Sequence, residues 1–251
     1  MSINDELLLD LGNTRLKWAW RFPAPGARLL SALTHAVPNK TSGVWDALFL
    51  EVRPQKVWLA SVAGTHTDDL IIEINQRWGC EVIRVCTPAQ FAGWTNSYEA
   101  PERLGVDRFL AMLGALDLAA NSSLCVAMAG TALTIDVLDA RGIHQGGLIV
   151  PGPSLMRASL HRATAELPSV STSSVSLGRS TADAIGAGSV RACTALIAAV
   201  AQDFPAAKLI ISGGAAAELE SGLDALTPLF IEDLVLRGLC FYAGCIVSQN
   251  A

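Results

Sequence analysis

The chain begins with an apolar run that ends abruptly in an acid. Residues 6–12, ELLLDLG, predict a strand, and 15–22, RLKWAWRF, predict a second with Leu16, Trp18 and Trp20 at period two. The connection is so short that the pair reads as a hairpin turning at Gly12-Asn13. KVWLASVAG (56–64) predicts a buried strand. An amphipathic helix is expected over 66–79, with Thr67 or Asp68 near its cap and Gly79 at its end. EVIRVC (81–86) alternates as a strand. A polar stretch, AGWTNSYEAPERLGVDR (92–108), then leads into an apolar helix over 108–120. Loops of that composition inside a compact domain tend to carry function.

The second half starts as the first did. Residues 123–152 read as a strand, a Gly-Thr turn, a second strand, an Asp-Ala-Arg-Gly turn and a third strand. Helices are expected over 153–163 and 181–203, then a buried strand running into Gly213-Gly214 and a helix start, and an apolar helix over 234–247. Strand, GNT, strand and strand, AGTALT, strand form a weak internal duplication, which places a boundary near 119 and divides the chain into 1–119 and 120–251.

Composition narrows the class. Of 251 residues, 51% are apolar and 16% charged, which argues for a large folded core and against disorder. No stretch reaches the 18 or so uncharged apolar residues of a membrane span, and MSINDELLLD lacks the basic region of a signal peptide. A net charge of −5 without a Lys/Arg-dense segment argues against an electrostatic nucleic-acid binder. Six cysteines without a CxxC pair, several in apolar runs, suggest buried thiols, a reducing cytoplasm and no zinc site. Four scattered histidines (35, 66, 144, 161) lack ligand spacing and read as structural or solvated. The six tryptophans read as core residues, with Trp94 alone considered for a pocket wall, and the small polar segment 167–176 reads as a mobile loop.

The turns are where chemistry is expected. A bend rich in Gly, Asn and Thr exposes amides and hydroxyls that can surround phosphate oxygens, and two such bends could grip a nucleotide. Asp10 could hold Mg²⁺ directly or through water. Both bends could equally be plain hairpin turns. Gly213-Gly214 after a strand would let a flat adenine ring approach the backbone, though glycine there also suits ordinary packing. In PERLGVDRF (101–109), Asp107 is either a helix cap or a general base, and Arg108 could grip a carboxylate in bidentate fashion. No P-loop and no dinucleotide fingerprint is present.

Taken together these blocks resemble the type III pantothenate kinases, of the acetate and sugar kinase and actin superfamily. DLGNT (10–14) is similar to the family's first phosphate motif, YEAPERLGVDR (98–108) to its substrate motif and AGTALTID (129–136) to its second phosphate motif. GGLIVPG (146–152), STADAIGAG (180–188) and ISGG (211–214) match further blocks. The resemblance implies a duplicated ribonuclease H-like α/β (actin-like ATPase) fold of two similar halves with a central cleft. It also implies a homodimer with the pantothenate pocket near the interface, and ATP-dependent phosphorylation of pantothenate in the first step of coenzyme A synthesis. Asp10, Leu11, Gly12, Asn13, Thr14, Arg15, Leu16 and Lys17 would face ATP phosphates and Mg²⁺, with Thr131 contacting phosphate as well. Tyr98, Gly105, Val106, Asp107, Arg108 and Thr181 would line the pantothenate site, Asp107 acting as base. Asp136 is assigned a structural role.

One position departs from the pattern. Family members commonly carry an Asp two residues before the Gly-Thr, where it helps hold potassium or ammonium, and here that position is Met128. A thioether is a poor ligand for a hard cation, so another group binds the ion, or cation dependence is weakened or lost, or activity is reduced. Met128 also keeps an alternative open, a non-catalytic or regulatory relative acting as a transcriptional accessory factor. A sugar or acetate kinase is disfavoured by the short chain and the GVDR block.

Overall fold

A computed structural model describes residues 5–21, 35–38, 45–51, 53–164, 168, 170 and 176–249. The chain forms two compact units, Met1–Leu118 with Asp233–Ala251, and Ala119–Glu232. Most of the segment 167–176 lies outside the described residues.

The first unit is built on a five-stranded sheet. Strands β1 (Glu6–Leu11) and β2 (Arg15–Arg21) are antiparallel, and β3 (His35–Pro38) pairs with β2. A short helix, α1 (Asp46–Phe49), precedes β4 (Lys56–Ser61), which lies parallel to β1 and to β5 (Glu81–Arg84). Strand β1 is covered on both faces, which explains its unbroken apolar run. Leu7, Leu9 and Leu11 join Val57, Leu59, Leu70 and Ile74 in one core. Leu8 and Asp10 therefore point to the opposite face. Helix α2 (Thr65–Arg77) begins at Gly64, which has φ +57°, rather than being capped by Thr67 or Asp68. The Thr67 hydroxyl is instead 2.6 Å from that of Ser61. Gly79 ends the helix as expected, with φ +57° and its amide on the Ile74 carbonyl.

The polar stretch resolves into three pieces. Strands β6 (Gln90–Phe91) and β7 (Trp94–Thr95) form a tight hairpin whose turn residues, Ala92 and Gly93, are both left-handed. A 3-10 turn over Pro101–Arg103 follows, and helix α3 runs from Val106 to Leu118.

The second unit repeats the plan. Strands β8 (Leu124–Ala129) and β9 (Ala132–Leu138) are antiparallel, and β10 (His144–Pro151) pairs with β9. Helices α4 (Pro153–Ala163) and α5 (Thr181–Asp203) precede β11 (Lys208–Ser212), which is parallel to β8. After α6 (Ala216–Leu219) and two 3-10 turns, β12 (Leu229–Phe230) lies parallel to β11. The strand orders are 3-2-1-4-5 in the first sheet and 10-9-8-11-12 in the second, with matching directions throughout. Helix α5 is long and apolar enough to cross a membrane by composition, but it carries Asp183 and Arg191 and buries Val190, Cys193 and Ile197 in this unit's core.

The last helix, α7 (Leu234–Gln249), corrects the expected division, because it groups with the first unit rather than with 120–232. It crosses α3 backbone to backbone. A Cβ on Gly238 would fall 1.8 Å from the Leu110 carbonyl oxygen, and one on Gly114 2.6 Å from that of Leu234. A sequence read in linear order assigns the helix to the half it follows, and those two glycines are the reason it docks elsewhere.

Candidate active site

In the first unit the bend between β1 and β2 spans Gly12, Asn13 and Thr14, closed by the Gly12 amide on the Arg15 carbonyl at 2.9 Å. None of the three has positive φ, so the turn is wider than a two-residue Gly-Asn hairpin. Asn13, Thr14 and Arg15 are exposed. Leu11 and Leu16 are fully buried in the core, which leaves only their backbone groups to a ligand.

Asp10 sits at the end of β1, directly across from Lys17 on β2. Burial raises its pKa from 3.8 to about 7, Lys17 opposing the shift and the charges of Asp107 and Asp233 adding to it. Three carboxylates and one ammonium thus share a single electrostatic neighbourhood. The Lys17 ammonium donates to Asp233 at 3.0 Å, a residue the sequence reading did not select. Asp233 precedes an apolar helix, where an acid reads as an ordinary cap.

Helix α3 presents the second group. The Asp107 carboxylate accepts from the Arg108 amide at 2.8 Å, so it satisfies a free helix amide while remaining part of the charged cluster. Gly105 makes room for it, since a Cβ there would lie 2.6 Å from the Asp107 carboxylate. Arg108 is buried, donates to the Tyr98 hydroxyl at 2.9 Å and lies over the Tyr98 ring. Tyr98 is held by an Asx turn, its amide donating to the Asn96 side chain at 3.0 Å, and Asn96 in turn donates to the Pro101 carbonyl. Val106 is buried, which leaves only its backbone groups to a ligand. Trp94 is fully buried, packs on Phe109 and lines a cavity of about 430 Å³ with Gln90, Phe91, Tyr242 and Ile246. Apart from Trp94, no residue selected from the sequence lines that cavity.

The second unit holds Thr131 and Thr181. Thr131 is exposed at the β8–β9 bend, where the Gly130 amide bonds the Ala132 carbonyl at 3.0 Å. Two glycines hold this bend by close approach. A Cβ on Gly152 would fall 2.2 Å from the Gly130 carbonyl, and one on Gly213, at φ +104°, 2.3 Å from that of Ala129. The blocks AGT, VPG and ISGG are therefore packed against one another. Thr181 is the exposed first residue of α5, whose cap is the Ser180 hydroxyl accepting from the Asp183 amide.

Met128 lies beside Thr134 and Ser212 in register. The Thr134 hydroxyl is buried without a hydrogen-bond partner, but the thioether beside it is a poor ligand for a hard cation and brings no charge, so the side chains at this position do not replace a carboxylate. The donor set does not fit such a site. Asp136 and His144 are buried and paired at 3.0 Å, an arrangement internal to the sheet. Arg157, also unselected from the sequence, is buried and ties α4 to Glu218 and Ser189. All six cysteines are free, and burial pushes the Cys125 and Cys193 thiols up to about 12 and 11, which keeps them unreactive.

Comparison with known proteins gives these features a family. The sequence pattern of type III pantothenate kinase matches residues 6–203. Curated relatives named type III pantothenate kinase include those of Dechloromonas aromatica, 40% identical over 92% of this chain and 95% of the relative, and Halorhodospira halophila, 36% identical over 94% and 97%. Among solved structures, a protein described as a Baf family transcriptional activator from Campylobacter jejuni superposes with a TM-score of 0.62 at 23% identity, covering 97% of this chain and 98% of that one. An activator of 2-hydroxyisocaproyl-CoA dehydratase from Clostridium difficile, bound to ADPNP, gives 0.56 at 11% identity over 98% and 96%. At those identities the two structures establish the fold alone, a duplicated ribonuclease H-like α/β architecture. The sequence matches go further, and by them the chain belongs to the type III pantothenate kinase family.

Proposed function

We propose that this chain transfers the γ-phosphoryl group of ATP to the primary hydroxyl of pantothenate, the opening step of coenzyme A synthesis, using the residues just described. The observation that carries the residue assignment is the place of Lys17, directly across the strand pair from Asp10 and bonded to Asp233 at 3.0 Å, with the Asp107 charge also acting on the Asp10 carboxyl.

The amides and hydroxyls of Gly12, Asn13 and Thr14, with Arg15 and Lys17, bind phosphate oxygens, and the role of Thr131 in the same task rests on the family resemblance alone. Arg108, steadied by Tyr98, pairs with the pantothenate carboxylate, with Gly105 and Val106 beside it, and the role of Thr181 rests on the family resemblance alone. Asp107 accepts the hydroxyl proton as the alcohol oxygen bonds to the γ-phosphorus and the bond to the ADP oxygen breaks. Asp10 fits Mg²⁺, because a carboxylate whose charge is opposed by burial and two other acids gains most from a divalent cation. When bound, the ion neutralises phosphate charge. A homodimer and a cytoplasmic setting belong to the same reading and rest on the family resemblance.

The test is ADP release by purified protein with and without pantothenate, for the native chain and for Asp107→Asn. The native chain should show pantothenate-dependent turnover. The variant keeps an oxygen for the Arg108 amide, so it should fold normally and lose about 10²- to 10⁴-fold in kcat. Near-native turnover in Asp107→Asn would remove the base assignment.

A further inference from the structure

We propose that Asp233 is a positioning residue for phosphoryl transfer, holding the Lys17 ammonium away from Asp10 so that the lysine serves phosphate and the aspartate serves the metal. The proposal rests on the reading of Asp10 and Lys17 given above and extends it to Asp233, which lies outside the sequence blocks that carry the family resemblance.

Three observations carry it. Asp10 and Lys17 are directly opposite each other on an antiparallel pair, the geometry in which opposite charges ordinarily close on one another. Here the ammonium reaches instead to Asp233, 3.0 Å away and 216 residues along the chain. A lysine collapsed onto Asp10 would neutralise the carboxylate that is to meet the metal and withdraw its own charge from the phosphates. Bonded to Asp233, it keeps two of its three N–H donors for phosphate oxygens.

The backbone at Asp233 is the second observation. Its φ is +52°, a left-handed conformation that few residues other than glycine, asparagine and aspartate adopt. Its carbonyl accepts from the Arg237 amide at 3.0 Å, so the residue belongs to the first turn of α7. The third observation is what fixes that turn. Leu234, the next residue, has its carbonyl packed against Gly114 of α3 where no side chain would fit. Helix α3 carries Asp107 and Arg108 on its first turn. Asp233 thus connects the phosphate-binding lysine to the helix that presents the base and the substrate arginine.

The variant to make is Asp233→Asn, because asparagine tolerates the left-handed backbone and keeps the shape while losing the charge. A charged hydrogen bond of this kind corresponds to about a ten- to hundredfold effect. The expected result is that rise in KM for ATP or fall in kcat, an unchanged KM for pantothenate and a native unfolding temperature. In a Lys17→Ala background the same substitution should add nothing, since its target is gone. Native ATP kinetics in Asp233→Asn, or equal damage to both substrates with a lowered unfolding temperature, would overturn the proposal. Lys17→Ala alone separates the layers. If it leaves ATP binding untouched, the phosphate-site reading fails; if it impairs ATP binding while Asp233→Asn does not, only the role of Asp233 falls.

Discussion

The two β-bend-β units of this chain share a backbone plan and divide its chemistry unequally. Asp10 is the penultimate residue of β1 and faces Lys17, whereas Met128 is the penultimate residue of β8 and faces Thr134. The first position carries an acid with its pKa raised to about 7 and a lysine drawn to Asp233, and the second carries no charge at all. In the first unit little crowds the bend, since a Cβ on Gly12 would meet only the Arg15 carbonyl at 3.4 Å. In the second, Gly152 and Gly213 press backbone against backbone beneath the bend. Duplication supplied one frame twice, and the copies then separated electrostatic work from shape.

The largest effect that would test this contrast is on stability. Gly213→Ala forces a Cβ to within 2.3 Å of the Ala129 carbonyl at a left-handed φ of +104°, and the nearby atoms are backbone that cannot turn aside. Overpacking plus strain of this kind costs about 3 kcal/mol. Gly12→Ala meets one atom at ordinary van der Waals distance, without positive φ, and should shift stability by less than about 1 kcal/mol. Urea unfolding of the two variants measures the difference. Equal losses would mean that both bends depend on close glycine packing, and the contrast would dissolve.

The units differ also in how much of each was legible beforehand. The apolar run of β1, the alternation of β2, the Gly79 stop and the long apolar α5 all follow from local patterns, and all stand in the structure. The family resemblance groups Leu11, Leu16 and Val106 with the site, yet pattern alone places their side chains inward. The ends of α2 were less readable, because Thr67 looks like a cap but its hydroxyl sits against Ser61 from the neighbouring strand. Asp233 was not legible at all. Its meaning depends on α7 returning to the first unit, a tertiary outcome set by the Gly114–Gly238 crossing, and on a lysine 216 residues earlier. The Asx turn at Asn96 could have been found, since Asn two residues before a tyrosine amide in a polar loop is its ordinary signature.

A smaller effect concerns proton uptake at Asp10. The folded chain keeps a proton there that the unfolded chain has released, throughout the interval from 3.8 to about 7. In that window the native state binds more protons, so stability falls as pH rises and levels off above the upper value. Asp10→Asn removes the titration. Without metal ions, the native chain should lose on the order of 2 kcal/mol relative to the variant between pH 4 and 8, less than the full shift because Asp10 as a residue is only half-buried and solvent screens part of the effect. Met128→Leu in the other unit should follow the native pH profile. Parallel profiles for all three proteins would show that burial of Asp10 is relieved by solvent and that the charge contrast between the units is shallow.

The smallest effect is an expected indifference, and it bears on what the second unit has given up. At the register position of Asp10 stands Met128, flanked by Thr134 and Ser212, and neither hydroxyl is anionic. At this position potassium or ammonium meets a thioether, a poor ligand for a hard cation, in place of a charge. Turnover in potassium, ammonium and sodium chloride at equal ionic strength should therefore agree within about twofold, a barrier difference of roughly 0.4 kcal/mol. Met128→Asp supplies the missing carboxylate next to the unpartnered Thr134 hydroxyl, and its turnover should come to depend on which cation is present. Strong potassium activation of the native chain would place a cation among other groups of the second unit, and its bend would then share the electrostatic work assigned here to the first.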